Sequence, residues 1–298
     1  MVVHVRHDHS LRVPQPEQSA AAGAPDACSQ CHADRAWVTA AYARLFGDRA
    51  RAEQPHWGAI IAGARRDSAG DDLAALAADP ARPAIVRATA FSLLDRPDVL
   101  EAALANRDPL IRYTAVTRLP GDDPQRLLVA LVPLLADPVL AVRTAAAARC
   151  AELPPEQRVA LPEPRFAVAL AEYVATQRYM ADLPSGPYNL GNLDASLGRY
   201  DDAERAYRHA IAIDARFTPA KVNLATLLAA ERRVADAEVL LRSVRSDDAG
   251  YTDALFDLAL LLADSGRAPE AARTLEALLA RDPTYEARVR AVLGGLGR

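Results

Sequence analysis

The chain has 298 residues, a net charge of −4, and 51% hydrophobic residues of which few are aromatic. That length accommodates about two domains, and the mild acidity leaves no basic footprint for nucleic acid. No stretch approaches the ~20 apolar residues of a membrane span, and Ala and Leu dominate without alternating Val/Ile runs, which predicts an all-α protein.

Residues 1–66 read as a first segment of coil plus helix. Five of the six histidines (His4, His7, His9, His32, His56) and two of the three cysteines fall in this segment. The third, Cys150, sits in an Ala-rich helical run and reads as a small buried apolar residue. The opening "MVVHVRHDHSLRVP" carries charged and polar residues where a signal peptide needs an apolar core. The Pro-containing "RVPQPEQSAAAGAPDA" predicts extended coil. Then comes "CSQCH": Cys28, Cys31 and His32 have the spacing of covalent haem c attachment. In that chemistry each sulfur forms a thioether with a haem vinyl group, and the adjacent histidine ligates the iron. A zinc knuckle is the rival metal reading, but it needs four ligands and the chain has no second CxxC, so histidines such as His4, His7 or His9 would have to complete it. A redox CxxC pair is a third reading, without the βαβ unit that would accompany it. For a second axial iron ligand His9 is the first candidate, because the Pro-rich coil allows it to fold back, and His56 in "EQPHWGAII" is the second. After His32 the periodicity turns helical, with Trp37, Ala40, Ala41 and Leu45 on one face.

Residues 67–152 contain a weak repeat. Asp-Pro recurs at a constant interval, at Asp79-Pro80, Asp108-Pro109 and Asp137-Pro138. Each is followed by an aliphatic-Arg pair, Val86-Arg87, Ile111-Arg112 and Val142-Arg143, and then by Ala88, Ala115 or Ala145. An Asp-capped turn, a Pro at or before the helix start and an apolar face predict stacked helical pairs. The pattern resembles HEAT or PBS-lyase-like α-solenoid repeats. Residues 153–183 read as a Pro-containing linker and helix, with "ELPPEQRVALPEPRF" (152–166) marking a boundary or hinge.

From 184 the chain repeats with one fixed period, in units 184–217, 218–251 and 252–285, with residues 285–296 as a capping helix. Small residues recur at Gly191, Ala225 and Ala259 and at Ala203, Ala237 and Ala271. Large ones recur at Leu190, Leu224 and Leu258 and at Tyr207, Leu241 and Leu275. Gly198 and Gly266 mark turns, whereas the second unit has Arg232 and Arg233 there, which predicts a looser turn. Period and pattern resemble the tetratricopeptide repeat (TPR) family. That resemblance implies a groove for a protein or peptide, lined by Tyr188, Asn189 and Asn192, then Asn223 and Thr226, then Phe256 and Asp257. Asn189, Asn223 and Asp257 share one repeat position and form a polar ladder suited to a peptide backbone.

In its organisation the whole chain resembles the C-terminal part of bacterial multihaem c-type cytochromes carrying TPRs. The matching residues are Asp8, His9, Ser10, Arg12, Pro14 and Pro16 before Cys28, Cys31 and His32. The resemblance implies an exported or periplasmic haem c electron-transfer protein with a redox partner, and further haems on a missing front end. The alternative is a haem-free, cytoplasmic TPR adaptor whose CxxCH is vestigial or binds zinc. Apart from the haem, no nucleophile, phosphate-loop or paired-carboxylate constellation suggests an enzyme.

Overall fold

The computed structural model describes residues 19–20, 28, 31–46, 57–65 and 70–296. Every regular element among them is helical, and none of these helices is long and apolar enough to cross a membrane. They fall into two compact units, one ending at Gly121 and the other beginning at Asp122.

The first unit holds α1 (Arg35–Phe46), α2 (Trp57–Ala64), α3 (Gly70–Ala78), α4 (Ala84–Leu93), α5 (Pro97–Ala103) and α6 (Pro109–Arg118). Helices α2, α3 and α4 pack on one another, and α6 packs on α4 and α5. Leu73, Leu76, Val86, Phe91, Leu100, Ile111 and Val116 fill the core between them. Helix α1 departs from expectation. Its buried residue is Val38, while Trp37 and Leu45 are 49% and 77% exposed. Adjacent helical residues point roughly 100° apart, so burying Val38 turns the Trp37–Leu45 stripe outward.

The Asp-Pro repeat has a shared local cause. Asp79, Asp108 and Asp137 each accept, through Oδ1, the backbone N–H two residues on (Ala81, Leu110, Val139), all at 2.9 Å. The carboxylate thus satisfies a backbone donor of the turn that leads into the helix, and for Asp108 a donor of the first helical turn itself. The arginine of each aliphatic-Arg pair reaches back to the preceding turn: Arg87 to Ala77 O, Arg112 to Asn106 O, Arg143 to Asp137 O and Pro138 O. Its aliphatic neighbour, Val86, Ile111 or Val142, is buried. Ala88 and Ala115 are buried as expected, but in the third copy Ala146 is buried and Ala145 only half so.

The second unit begins with α7 (Pro124–Leu131), which tightens into a 3-10 turn (Val132–Ala136), followed by α8 (Leu140–Ala151), α9 (Pro155–Arg158) and α10 (Arg165–Tyr179). The proline-rich run 152–166 is pinned to its neighbours. Leu153 and Leu161 are buried, and Arg158 Nη1 donates to Ala151 O and Ser196 O at 2.9 and 2.8 Å. Helix α10 packs on both α8 and the next helix, so the helical pairs continue without a break.

Three helical pairs follow: α11 (Ser185–Ser196) with α12 (Tyr200–Ile213), α13 (Thr218–Ala230) with α14 (Val234–Arg242), and α15 (Tyr251–Asp264) with α16 (Ala268–Arg281). After the 3-10 turn Pro283–Tyr285, helix α17 (Glu286–Leu296) buries Val289 beside Phe256, Leu275 and Leu278. The recurring small residues lie where helices meet: Ala203, Ala237, Ala259 and Ala271 are fully buried, and the large partners Tyr207, Leu224, Leu241, Leu258 and Leu275 fill the intervals. The result is an all-α solenoid of stacked helical pairs.

The second-unit turn is as tight as the others. Gly198, Arg232 and Gly266 all adopt left-handed φ, at 76, 65 and 75°. In each, the following N–H closes on a carbonyl five residues back: Arg199 on Asp194, Arg233 on Leu228, Arg267 on Leu262, at 2.8 to 2.9 Å. Packing of α13 on α14 sets the turn geometry, and Arg232 adopts it despite its Cβ.

Candidate functional site

Cys28 and Cys31 begin the first site. The backbone O of Cys28 accepts from Cys31 N at 3.2 Å and from His32 N at 2.9 Å, closing one helical turn. In a helical turn, positions i, i+3 and i+4 share a face. Cys31 and His32 are exposed and Cys28 is half-buried. Two residues later Asp34 starts α1, its Oδ1 accepting from Trp37 N at 3.1 Å and its backbone O from Val38 N at 3.1 Å. The indole of Trp37 lies against the His32 imidazole, ring centroids 4.7 Å apart and planes tilted by 37°. Among the described residues no three His, Cys, Asp or Glu side chains converge as ligands of one metal ion would. The proposed axial ligands His9 and His56 lie outside the described residues, as do His4 and His7.

The second site is the face of α11, α13 and α15 that carries Tyr188, Asn189, Asn192, Asn223, Thr226 and Asp257, of which Thr226 is exposed and the rest are half-buried. Asn192 is its hub: its Oδ1 accepts from Tyr207 Oη at 2.9 Å and from Asn223 Nδ2 at 2.8 Å. Asn223 Nδ2 also reaches Tyr188 Oη at 3.3 Å, and Tyr188 stands edge-on to Phe217. Asn189 Nδ2 donates to Gln177 Oε1 at 2.9 Å, and Gln177 is a buried residue of α10. The ladder residues therefore turn their donors backwards along the array, Asn189 to α10 and Asn223 to α11, the first helix of the preceding pair. Their Oδ1 atoms receive no hydrogen bond from the described residues, which leaves each as an oriented acceptor. Thr226 is exposed, with its hydroxyl bonded to Val222 O. Asp257 is half-buried, and burial foremost, then the neighbouring Asp253, pushes its carboxyl above the usual carboxylate range against the opposing pull of Arg288. Burial likewise pushes the Tyr207 hydroxyl up to about 12. Phe256 does not line this face. It is 7% exposed, with the Arg288 guanidinium 4.2 Å above its ring and Tyr285 beside it, because α17 folds over it.

Sequence reasoning passed over a set of ion pairs that follow the period of the repeat. Arg233 and Arg267, each directly after a turn, reach back to Glu204 and Glu238 on the second helix of the preceding pair, at 2.7 and 2.6 Å. Each glutamate is also bonded to the arginine four residues on, Arg208 or Arg242. Donation by Arg233 and by Arg267 is the foremost reason that Glu204 and Glu238 lie below the usual carboxylate range. The signal was present, since both Arg and Glu recur with the repeat, but charged surface positions vary freely unless a neighbour fixes them. Gln177 and Tyr207 were also missed as polar partners, the first for lying outside the repeats and the second for reading as a filler of apolar space.

Residues 195–250 and 227–296 match the family model of the tetratricopeptide repeat. This part of the chain is therefore a TPR array, a protein-interaction scaffold. The chain is also similar to the crystal structure of MamA protein, at 15% identity and a TM-score of 0.36, covering 59% of this chain and 83% of that one. None of the curated proteins matches the chain.

Proposed function

We propose that the chain is a haem c-bearing electron-transfer protein whose TPR array docks a protein or peptide partner. The observation that supports the haem reading is the hydrogen-bonded turn in which Cys28 O accepts from both Cys31 N and His32 N, followed directly by a helix whose Trp37 and Leu45 are exposed. A haem needs this arrangement, since the sulfurs bond the porphyrin edge and only the histidine reaches the iron. A zinc site would need a fourth donor besides these three, from His4, His7 or His9, which lie outside the described residues. The residues present thus fit the group: Cys28 and Cys31 would hold the thioethers and His32 the iron. Bound haem c supplies an iron that cycles between ferrous and ferric states. The apolar stripe of α1 offers a surface for a flat apolar ligand to cover.

Attachment of haem c takes place outside the cytoplasm, so this reading places the working protein in the periplasm or an equivalent exported compartment, with a redox partner there. On the array, Asn189 Oδ1, Asn223 Oδ1 and the Asp257 carboxylate form a row of acceptors, one from each repeat. Such a row suits the N–H groups of an extended peptide. The test is a pyridine haemochrome assay on the chain exported into a host that matures c-type cytochromes. Covalent haem in the wild type, its weakening to one thioether in Cys28→Ala, and its loss in Cys28→Ala/Cys31→Ala are the expected results. An exported wild-type chain without covalent haem would refute the haem reading and leave the TPR scaffold standing.

A further inference from the structure

We infer that Trp37 is a positioning residue for His32, holding the imidazole in the orientation from which it meets the iron; this rests on the haem reading above. An indole normally contributes by being buried, yet Trp37 is 49% exposed and its ring contact is the imidazole of His32. Both ends of the contact are fixed through the backbone. The Cys28 O atom binds the N–H of Cys31 and of His32, while Asp34 binds the N–H groups of Trp37 and Val38. The indole is therefore presented to the imidazole by the first turn of α1. Metal-ligating histidines are usually oriented by a hydrogen bond from the second ring nitrogen to a carboxylate or carbonyl. Among the described residues His32 has no such partner, and the Trp37 ring takes that place by contact. A ring lying against the imidazole restricts its rotation about χ2 and shields one face from water. The ring contact is made to His32, so its effect on ligation is read separately from covalent attachment at Cys28 and Cys31.

The experiment compares wild type, Trp37→Ala, Trp37→Phe and His32→Ala in two preparations of the full chain. In the exported, haem-loaded form, Trp37→Ala should retain covalent haem within about twofold of wild type. Its visible and EPR spectra should nevertheless move toward those of His32→Ala, with Trp37→Phe staying close to wild type. A Trp37→Ala spectrum identical to wild type at equal haem content would overturn the inference. In the haem-free chain made in the cytoplasm, the Cε1–H resonance of His32 should lose its ring-current shift in Trp37→Ala, at unchanged helicity by circular dichroism. An unmoved resonance would remove the contact itself. If the exported wild type carries no covalent haem, the haem reading has failed and with it the assignment of a ligand role, whereas the resonance still decides whether Trp37 orients His32.

Discussion

Two residues on the TPR array show how far one atom decides local stability. Gly191 lies where α11 meets α12, and a Cβ there would stand 2.6 Å from Tyr207 Cε1 and 2.7 Å from its Cδ1. The ring is buried and tied to Asn192, so it cannot swing aside cheaply. Gly191→Ala should therefore destabilise the array by about 1–3 kcal/mol, the usual cost of overpacking, read as a lower urea midpoint. Arg232 is the converse case. It is exposed, and holds the left-handed φ of 65° that Gly198 and Gly266 hold without a Cβ. Arg232→Gly should stabilise by about 1 kcal/mol, the strain of placing an L-residue there less the entropy glycine loses, and should raise the melting temperature. Asp257 ties stability to the proposed peptide groove. Its carboxyl is raised by burial, so the charged form opposes folding above the unfolded pKa, and that penalty fades as pH falls through the folded value. Asp257→Asn should melt higher than wild type at pH 7, with the difference shrinking toward pH 4, and should bind a peptide partner more weakly by isothermal titration calorimetry. Equal melting at pH 7 would mean that the charge is not desolvated.

Between elements, the glutamate–arginine ladder ties each pair to the one before it. Glu204 and Glu238 have side chains about one-fifth exposed, at 19% and 18%, while their arginines are more open. Such pairs are screened by water and salt, so their contribution is modest and depends on ionic strength. The sign is clear. Each glutamate has a depressed folded pKa, so its stabilisation is complete above the unfolded value near 4.3 and is lost as pH falls through the lower folded value. The double variant Glu204→Gln/Glu238→Gln should be less stable than wild type at pH 7 and show a shallower loss of stability below about pH 4.5. Parallel acid-denaturation profiles would show that the ladder does not couple the pairs. The Asp-Pro turns work by another route, with the carboxylate satisfying a backbone donor and the following arginine satisfying backbone acceptors. The even recurrence of Asp-Pro was therefore legible as a turn signal, while the arginine partners were not, because they are backbone carbonyls and, for Arg143, the Glu172 carboxylate on a helix well along the chain.

At the scale of the molecule, stacked repeats owe their stability to neighbours as much as to themselves. Helix α10 is such a neighbour for the TPR array. Gly186 lies under the Met180 carbonyl so closely that a Cβ would sit 2.4 Å from its oxygen, and Gln177 bonds Asn189. A chain of residues 165–298 should unfold at higher urea than one of 184–298, because the shorter piece exposes the face of α11 that α10 covers. Equal midpoints would make α10 a passive connector. The helical periods, the TPR pattern, the Asp caps and the CxxCH spacing were all legible in the sequence, because each depends on residues near one another along the chain, where the geometry of a helix or turn fixes the relation. What the tertiary structure alone decided depends on residues far apart or on which face a neighbour claims. The burial of Val38 turned the Trp37 stripe outward, α17 closed over Phe256, Gln177 and Asn192 drew the asparagine donors inward, and helix packing gave Arg232 a turn suited to glycine. A pattern of residue types sets which side of a helix can be buried, but only the packing partner settles which side is.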